Sequence, residues 1–169
     1  MQEDPKVKVR RATPQDVPSL VALFHELDRM QADWRVFTPR PGFYDEVGAK
    51  YHDEMSNPDA AVLVAEDDEG EVVGMAYGEA HVPSRFSDER AFEISGVVVR
   101  AGYRGRGVGR LLVHEAARFA RSRGIEWIEL KTFAPNQGAM AFWEGLGFTP
   151  RVVQLTTPTG VLLDQLEDE

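Results

Sequence analysis

A mixed α/β fold, a central sheet carrying helices on its faces, is predicted by three patterns in this sequence. The stretch AAVLVAEDDEGEVVGMAYGEAHV reads as two apolar strands around a polar turn at Asp67 to Gly70, an antiparallel hairpin. Val108, Leu111, Leu112, Ala116, Phe119 and Ala120 fall on one helical stripe, and Gly124 follows as a C-cap. From Phe92 onward strands and helices alternate as β-α-β-α-β, so an antiparallel first half is extended into a mixed sheet.

Taken in order, Val7 and Val9 belong to a first strand, which turns at RRAT. Thr13 then serves as N-cap, Pro14 as the first helical residue and Asp16 as a first-turn acid, ahead of helical spacing at Val17, Leu20, Val21, Phe24 and Leu27. The segment 32–42, with TPRPG, reads as irregular, and a short polar helix is expected over 44–55. After the hairpin come a β-branched strand over 92–99, the striped helix, a strand over 127–133, a helix over 137–146 stopped by Gly147, a strand over 148–156, and a frayed LEDE tail.

A chain of 169 residues, 43% apolar and 28% charged, suits one ordinary domain, 1–169. No apolar run is long enough to span a bilayer, and the charged N-terminus is unlike a signal peptide, so a soluble cytoplasmic protein without a membrane partner is expected. Without cysteine there is neither a disulfide framework nor a thiol nucleophile. The net charge of −9 argues against nucleic acid and favours a cationic small molecule. The four histidines form no metal-binding spacing, so no metal is expected.

Against that acidic background, 100–110 holds Arg100, Arg104, Arg106 and Arg110 and no acid. It joins a strand to the striped helix through glycines at 102, 105, 107 and 109. Helix starts present unpaired N–H groups and favour acids, so arginines there make sense around a bound anion. A P-loop would need Lys followed by Ser or Thr; a dinucleotide site has Glu129 at the right distance for its acid, but the third glycine is missing where Arg110 stands and the antiparallel start counts against it. A flexible loop beside a solvated basic face is the alternative.

Arg104-Gly105-Arg106-Gly107-Val108-Gly109 resembles the R/Q-x-x-G-x-G/A motif of the GNAT superfamily of coenzyme A-dependent N-acyltransferases. The strand FEISGVVV before it, and Asn136, Ala139, Phe142 and Leu146-Gly147-Phe148 after it, are similar to the neighbouring signatures of that superfamily. The resemblance implies a mostly antiparallel sheet flanked by about four helices, with a splayed strand pair holding acetyl-CoA as cosubstrate. It implies that the amides of Gly105, Arg106, Gly107, Val108, Gly109 and Arg110 cradle the pyrophosphate, with Arg104 opening the loop, and that Val97, Val98 and Val99 pair with the pantetheine arm. Gly96 is read as marking a bulge beside the thioester. Asn136 reads equally as an N-cap and as a coenzyme contact, and Phe142 as a core residue that also touches the coenzyme.

By the same resemblance Glu93 is the general base, the alternative being a surface carboxylate. Glu79 and His81 stand in reserve as bases or as ligands of a cationic substrate. Trp143 departs from the tyrosine that many relatives use as an acid, and an indole N–H cannot replace it, so no general acid is assigned. Tyr103 reads as structural. The implied activity is direct acetyl transfer to a primary amine of a small cationic metabolite. A protein lysine or N-terminal acetyltransferase and a non-catalytic acyl-CoA-binding module are the alternatives, and a homodimer is compatible with the sequence.

Overall fold

A computed structural model describes residues 6–34, 38–82 and 88–167. Its contacts divide the chain into two compact units, Met1–Lys131 and Thr132–Glu169.

The first unit contains β1 (Lys8–Arg11), α1 (Val17–Gln31), α2 (Phe43–Glu54), β2 (Ala60–Glu66), β3 (Val72–His81), β4 (Ala91–Val99), α3 (Val108–Ser122) and β5 (Trp127–Leu130). Short 3-10 turns at Pro14–Asp16, Ala32–Trp34 and Ala101–Tyr103 join them. The strands lie in sequence order; the first four are antiparallel, and β5 runs parallel to β4 because α3 carries the chain back across the sheet. β2 is buried along nearly its whole length, as a strand covered on both faces should be.

Leu20 and Leu23 of α1 and Tyr51 of α2 pack with Met75 and Tyr77 of β3 and Val98 of β4. Phe119 of α3 meets Phe92 of β4, 5.6 Å between ring centroids. Gly78 is required where β3 and β4 close up, since a Cβ there would lie 2.5 Å from the Phe92 ring and 2.9 Å from the Glu93 carbonyl oxygen. The start of the chain is clamped by Arg10, which donates to Asp16 at 2.7 Å and to Glu66 at 2.8 Å. Asp16 also accepts from the Thr13 backbone N–H at 2.7 Å, so the expected helix entry forms, with Pro14 at its first position. Gly70, at φ 82°, closes the expected hairpin turn.

In the second unit, α4 (Gln137–Glu144) starts at Asn136 and is followed by Gly147 at φ 92°. Trp143 is buried there between Phe142 and Phe148, with centroids 4.9 and 5.2 Å away. The expected strand over 148–156 does not form: residues 149–158 have no regular structure, and α5 (Thr159–Glu167) follows. No strand among the described residues pairs with this segment, and Val152 is 88% exposed. β5 is likewise shorter than expected, ending at Leu130 rather than Phe133. No helix among the described residues is long and apolar enough to cross a membrane.

Candidate active site

The glycine-rich loop lies between β4 and α3. Gly105 and Gly107 have φ values of 73° and 81°, a region side chains avoid, and a Cβ on either would meet nothing within 4 Å. Gly107 is the N-cap of α3 and supplies no side-chain cap. The first bond of the ladder shown is Leu111 N–H to the Gly107 carbonyl, 3.1 Å, so the amides of Val108, Gly109 and Arg110 precede it. There is no acid in the first turn, and Arg106 and Arg110 are exposed. A helix start with no side-chain cap, open space at its glycines and two exposed guanidinium groups is suited to a polyanion.

Neighbouring side chains brace the loop. Arg104 donates to the Val99 carbonyl at 2.8 Å and to Glu26 at 3.0 Å, tying the loop to the strand end and to α1. Tyr103 donates to Asp67 at 2.6 Å and so joins the loop to the hairpin turn. That hydrogen bond holds the Asp67 carboxyl below its ordinary pKa and the Tyr103 hydroxyl above its own.

β4 spans Ala91–Val99, yet its pairing with β5 runs only from Ala91↔Trp127 to Ile94↔Leu130. The edge carrying Val97, Val98 and Val99 therefore lies beyond the last β5 pair. Opposite β3 the register jumps from Gly78↔Ile94 to Tyr77↔Gly96, so the extra residue is Ser95, one place before the expected Gly96.

Below the bulge, register aligns Glu79 with Glu93 and Glu93 with Glu129, a row of three carboxylates on one sheet face. His81 Nε2 lies 3.0 Å from Glu129 and 3.6 Å from Glu93. Lys131 lies 3.5 Å from Glu93, and Lys50 of α2 lies 3.5 Å from Glu79. The ligand atoms of His81, Glu93 and Glu129 all fall within 4.8 Å of one another, a set that could hold a divalent ion. Tyr77, one alternation before Glu79, is 4% exposed, and among the described residues its hydroxyl makes no hydrogen bond of good geometry, though Glu79 lies close enough to act on it. Burial, then the charges of Glu79 and Glu54, push that hydroxyl well above its ordinary pKa.

Of the residues singled out in the sequence, those of the loop, Val97 to Val99 and Glu93 all lie on or beside β4 and the start of α3. Asn136 and Phe142 belong to the second unit. There Asn136 accepts from the Ala139 N–H at 3.0 Å, the N-cap reading, while Phe142 is half-buried against Trp143. Trp143 is itself a packing residue. Sequence reasoning did not single out Glu129, Lys131, Lys50 or Tyr77 as parts of the site. Strand alternation places Glu129 and Lys131 on one face, but only register puts Glu129 beside Glu93.

The model of the acetyltransferase (GNAT) family matches residues 25–148. A streptothricin acetyltransferase of Streptomyces lavendulae is 31% identical over 114 residues, covering 68% of this chain and 56% of that protein. A mycothiol acetyltransferase of Amycolatopsis mediterranei is 36% identical over 85 residues, covering 49% of this chain and 28% of its own. The chain thus spans between 28% and 56% of the length of these curated relatives. An aminoglycoside N-acetyltransferase, AAC(6')-Iy in complex with CoA, is similar with a TM-score of 0.72 over 93% of this chain and 98% of that one. At 19% identity that likeness concerns the fold.

Proposed function

Because the chain belongs to the acetyltransferase (GNAT) family, we propose that it is an N-acetyltransferase that moves an acetyl group from acetyl-CoA to a primary amine of a small cationic metabolite. The observation that carries this reading is the continuity of β4: its carboxyl end enters an uncapped, arginine-flanked helix start, and its amino end carries Glu93. The family match crosses the boundary between the two compact units, which supports 1–169 as one functional domain. With no cysteine to serve as a thiol nucleophile, the chain suits direct transfer in a ternary complex.

The residues fit acetyl-CoA. Open space and positive φ at Gly105 and Gly107 let the backbone approach a pyrophosphate, and the amides from Gly105 to Arg110 supply its donors. The β4 edge at Val97 to Val99 offers main-chain groups to the amides of the pantetheine arm. Acetyl-CoA supplies the acyl group and a thiol leaving group when bound. No general acid is assigned, because a thiol with a pKa of about 8.5 leaves without one near neutrality.

Glu93 handles the acceptor's proton. An alkyl ammonium has a pKa of about 10.4, so only about one molecule in a few thousand is a free amine at neutral pH. A carboxylate facing the acceptor takes that proton, directly or through water, as the nitrogen lone pair becomes available. The decisive test is thiol release from acetyl-CoA across a panel of small amines, lysine peptides and peptide N-termini. Release with small amines supports the proposal. Release with peptides alone makes the enzyme a protein acetyltransferase, and coenzyme binding without release makes the domain an acyl-CoA-binding module.

A further inference from the structure

We propose that the acceptor carries two cationic nitrogens on one linear chain, the reacting one at Glu93 and the distal one at a subsite formed by Glu79 and the Tyr77 hydroxyl. This rests on the acetyltransferase reading and names its substrate class, an α,ω-diamine or longer polyamine.

The subsite follows from strand register. Glu79 and Glu93 are direct partners across β3 and β4, so their backbone positions stand about 5 Å apart and their side chains leave the same face. Like charges directly opposite oppose strand pairing. Three or four methylenes separate two nitrogens by roughly 5–6 Å, which matches that spacing.

The counter-ions are the kind a ligand displaces. Lys131 approaches Glu93 only to 3.5 Å and is 88% exposed, whereas Glu93 is 23% exposed. Exposed pairs of this kind hold weakly, so a ligand cation can displace them from the half-buried carboxylates. Lys50 shows what the distal place accepts: its ammonium lies 3.5 Å from Glu79 and 5.1 Å from the centre of the Tyr77 ring. A carboxylate and an aromatic face together form a cation site, in which Lys50 acts as an internal stand-in for the ligand.

Tyr77 is the independent sign that something is missing. Its ring is fixed against Tyr51, 5.5 Å between centroids, on the face that carries Glu79. Among the described residues its buried hydroxyl has no hydrogen-bond partner of good geometry, and the nearby acid that acts on it most strongly is Glu79. Buried hydroxyl groups are nearly always satisfied, and an exception calls for a ligand or a water. An ammonium has three N–H donors: one for Glu79, one for Tyr77 Oη and one for water.

The test compares KM for n-butylamine with KM for diamines of about three to five methylenes, with acetyl-CoA saturating. The wild-type protein is expected to favour the diamines by about tenfold or more, the worth of one additional charge-assisted contact. Glu79→Gln should erase most of that ratio and Tyr77→Phe should reduce it. Lys50→Met, which removes the internal competitor, should increase it, and circular dichroism checks that each variant folds. Equal KM values for monoamine and diamine, or a ratio unmoved by Glu79→Gln and Lys50→Met, would overturn the dication subsite while leaving the acetyltransferase reading standing. Turnover of no amine at all would instead remove that reading and the subsite with it. The ratio should also persist in EDTA; its loss would overturn the proposal in favour of a metal bridge at His81, Glu93 and Glu129.

Discussion

At the scale of single residues, Gly107 separates binding from folding. Its φ of 81° and the empty space around its absent Cβ mean that a side chain there meets strain but no clash. A carboxylate at a helix start also interacts favourably with the helix dipole, so Gly107→Glu should fold. The same carboxylate would occupy the place proposed for the pyrophosphate. We expect calorimetry to show coenzyme affinity reduced by at least about a hundredfold with far-UV circular dichroism unchanged, and wild-type affinity would displace the phosphate site from this loop.

Glu93 carries a different expectation, because its contribution depends on how much acceptor is already neutral. Glu93→Gln should lower kcat/KM at neutral pH and recover part of the loss as pH approaches the ammonium pKa of about 10.4, where the free amine no longer needs a base. A pH–rate profile parallel to that of the wild type would remove Glu93 from this role. Gly107 was legible in the sequence as a glycine between arginines at a helix start, whereas Glu93 was singled out only by the family resemblance.

At the scale of elements, β1, the 3-10 turn and β2 are joined through Arg10, Asp16 and Glu66. The Arg10 guanidinium, with help from the Thr13 N–H, holds the buried Asp16 carboxyl at a pKa of about 2 against a reference of 3.8. A carboxyl whose pKa falls on folding adds stability above its unfolded pKa and loses it as pH falls toward the folded value. Asp16→Asn should therefore cost about 2 kcal/mol at neutral pH. The deficit relative to wild type should shrink between about pH 5 and about pH 2. Urea denaturation at a series of pH values measures this, and a constant deficit across that range would mean that the Arg10 pair is not its source.

The elements also show where sequence patterning runs out. Helix α3 and the hairpin followed from apolar spacing and turn residues, because their stabilising contacts repeat along the chain. A strand is expected over 148–156 as well, yet a strand is only half of a hydrogen-bonded pair, and no spacing rule supplies the other half.

At the scale of the whole molecule, charge is divided. The chain carries −9 overall, but the acid-free run 100–110, with four arginines, lies at the proposed coenzyme site. Arg104 is paired with Glu26 and Arg100 approaches Glu71 at 3.7 Å, leaving Arg106 and Arg110 to attract a polyanion. Raising salt from about 0.1 M to about 1 M shortens the screening length from about 10 Å to about 3 Å. Coenzyme affinity should then fall by about tenfold, and by much less in an Arg106→Ala, Arg110→Ala double variant. Equal salt dependence in both proteins would leave these arginines without a part in binding.

The hairpin turn, the arginine-flanked glycine loop and the apolar stripe of α3 were determined by the sequence alone, because each depends on residues within a few positions of one another. The alignment of Glu79, Glu93 and Glu129, the bulge at Ser95 and the burial of the Tyr77 hydroxyl were decided only by tertiary structure. Residues 79 and 129 become neighbours of 93 through strand register, and shifting a strand by one residue would send every side chain on it to the opposite face.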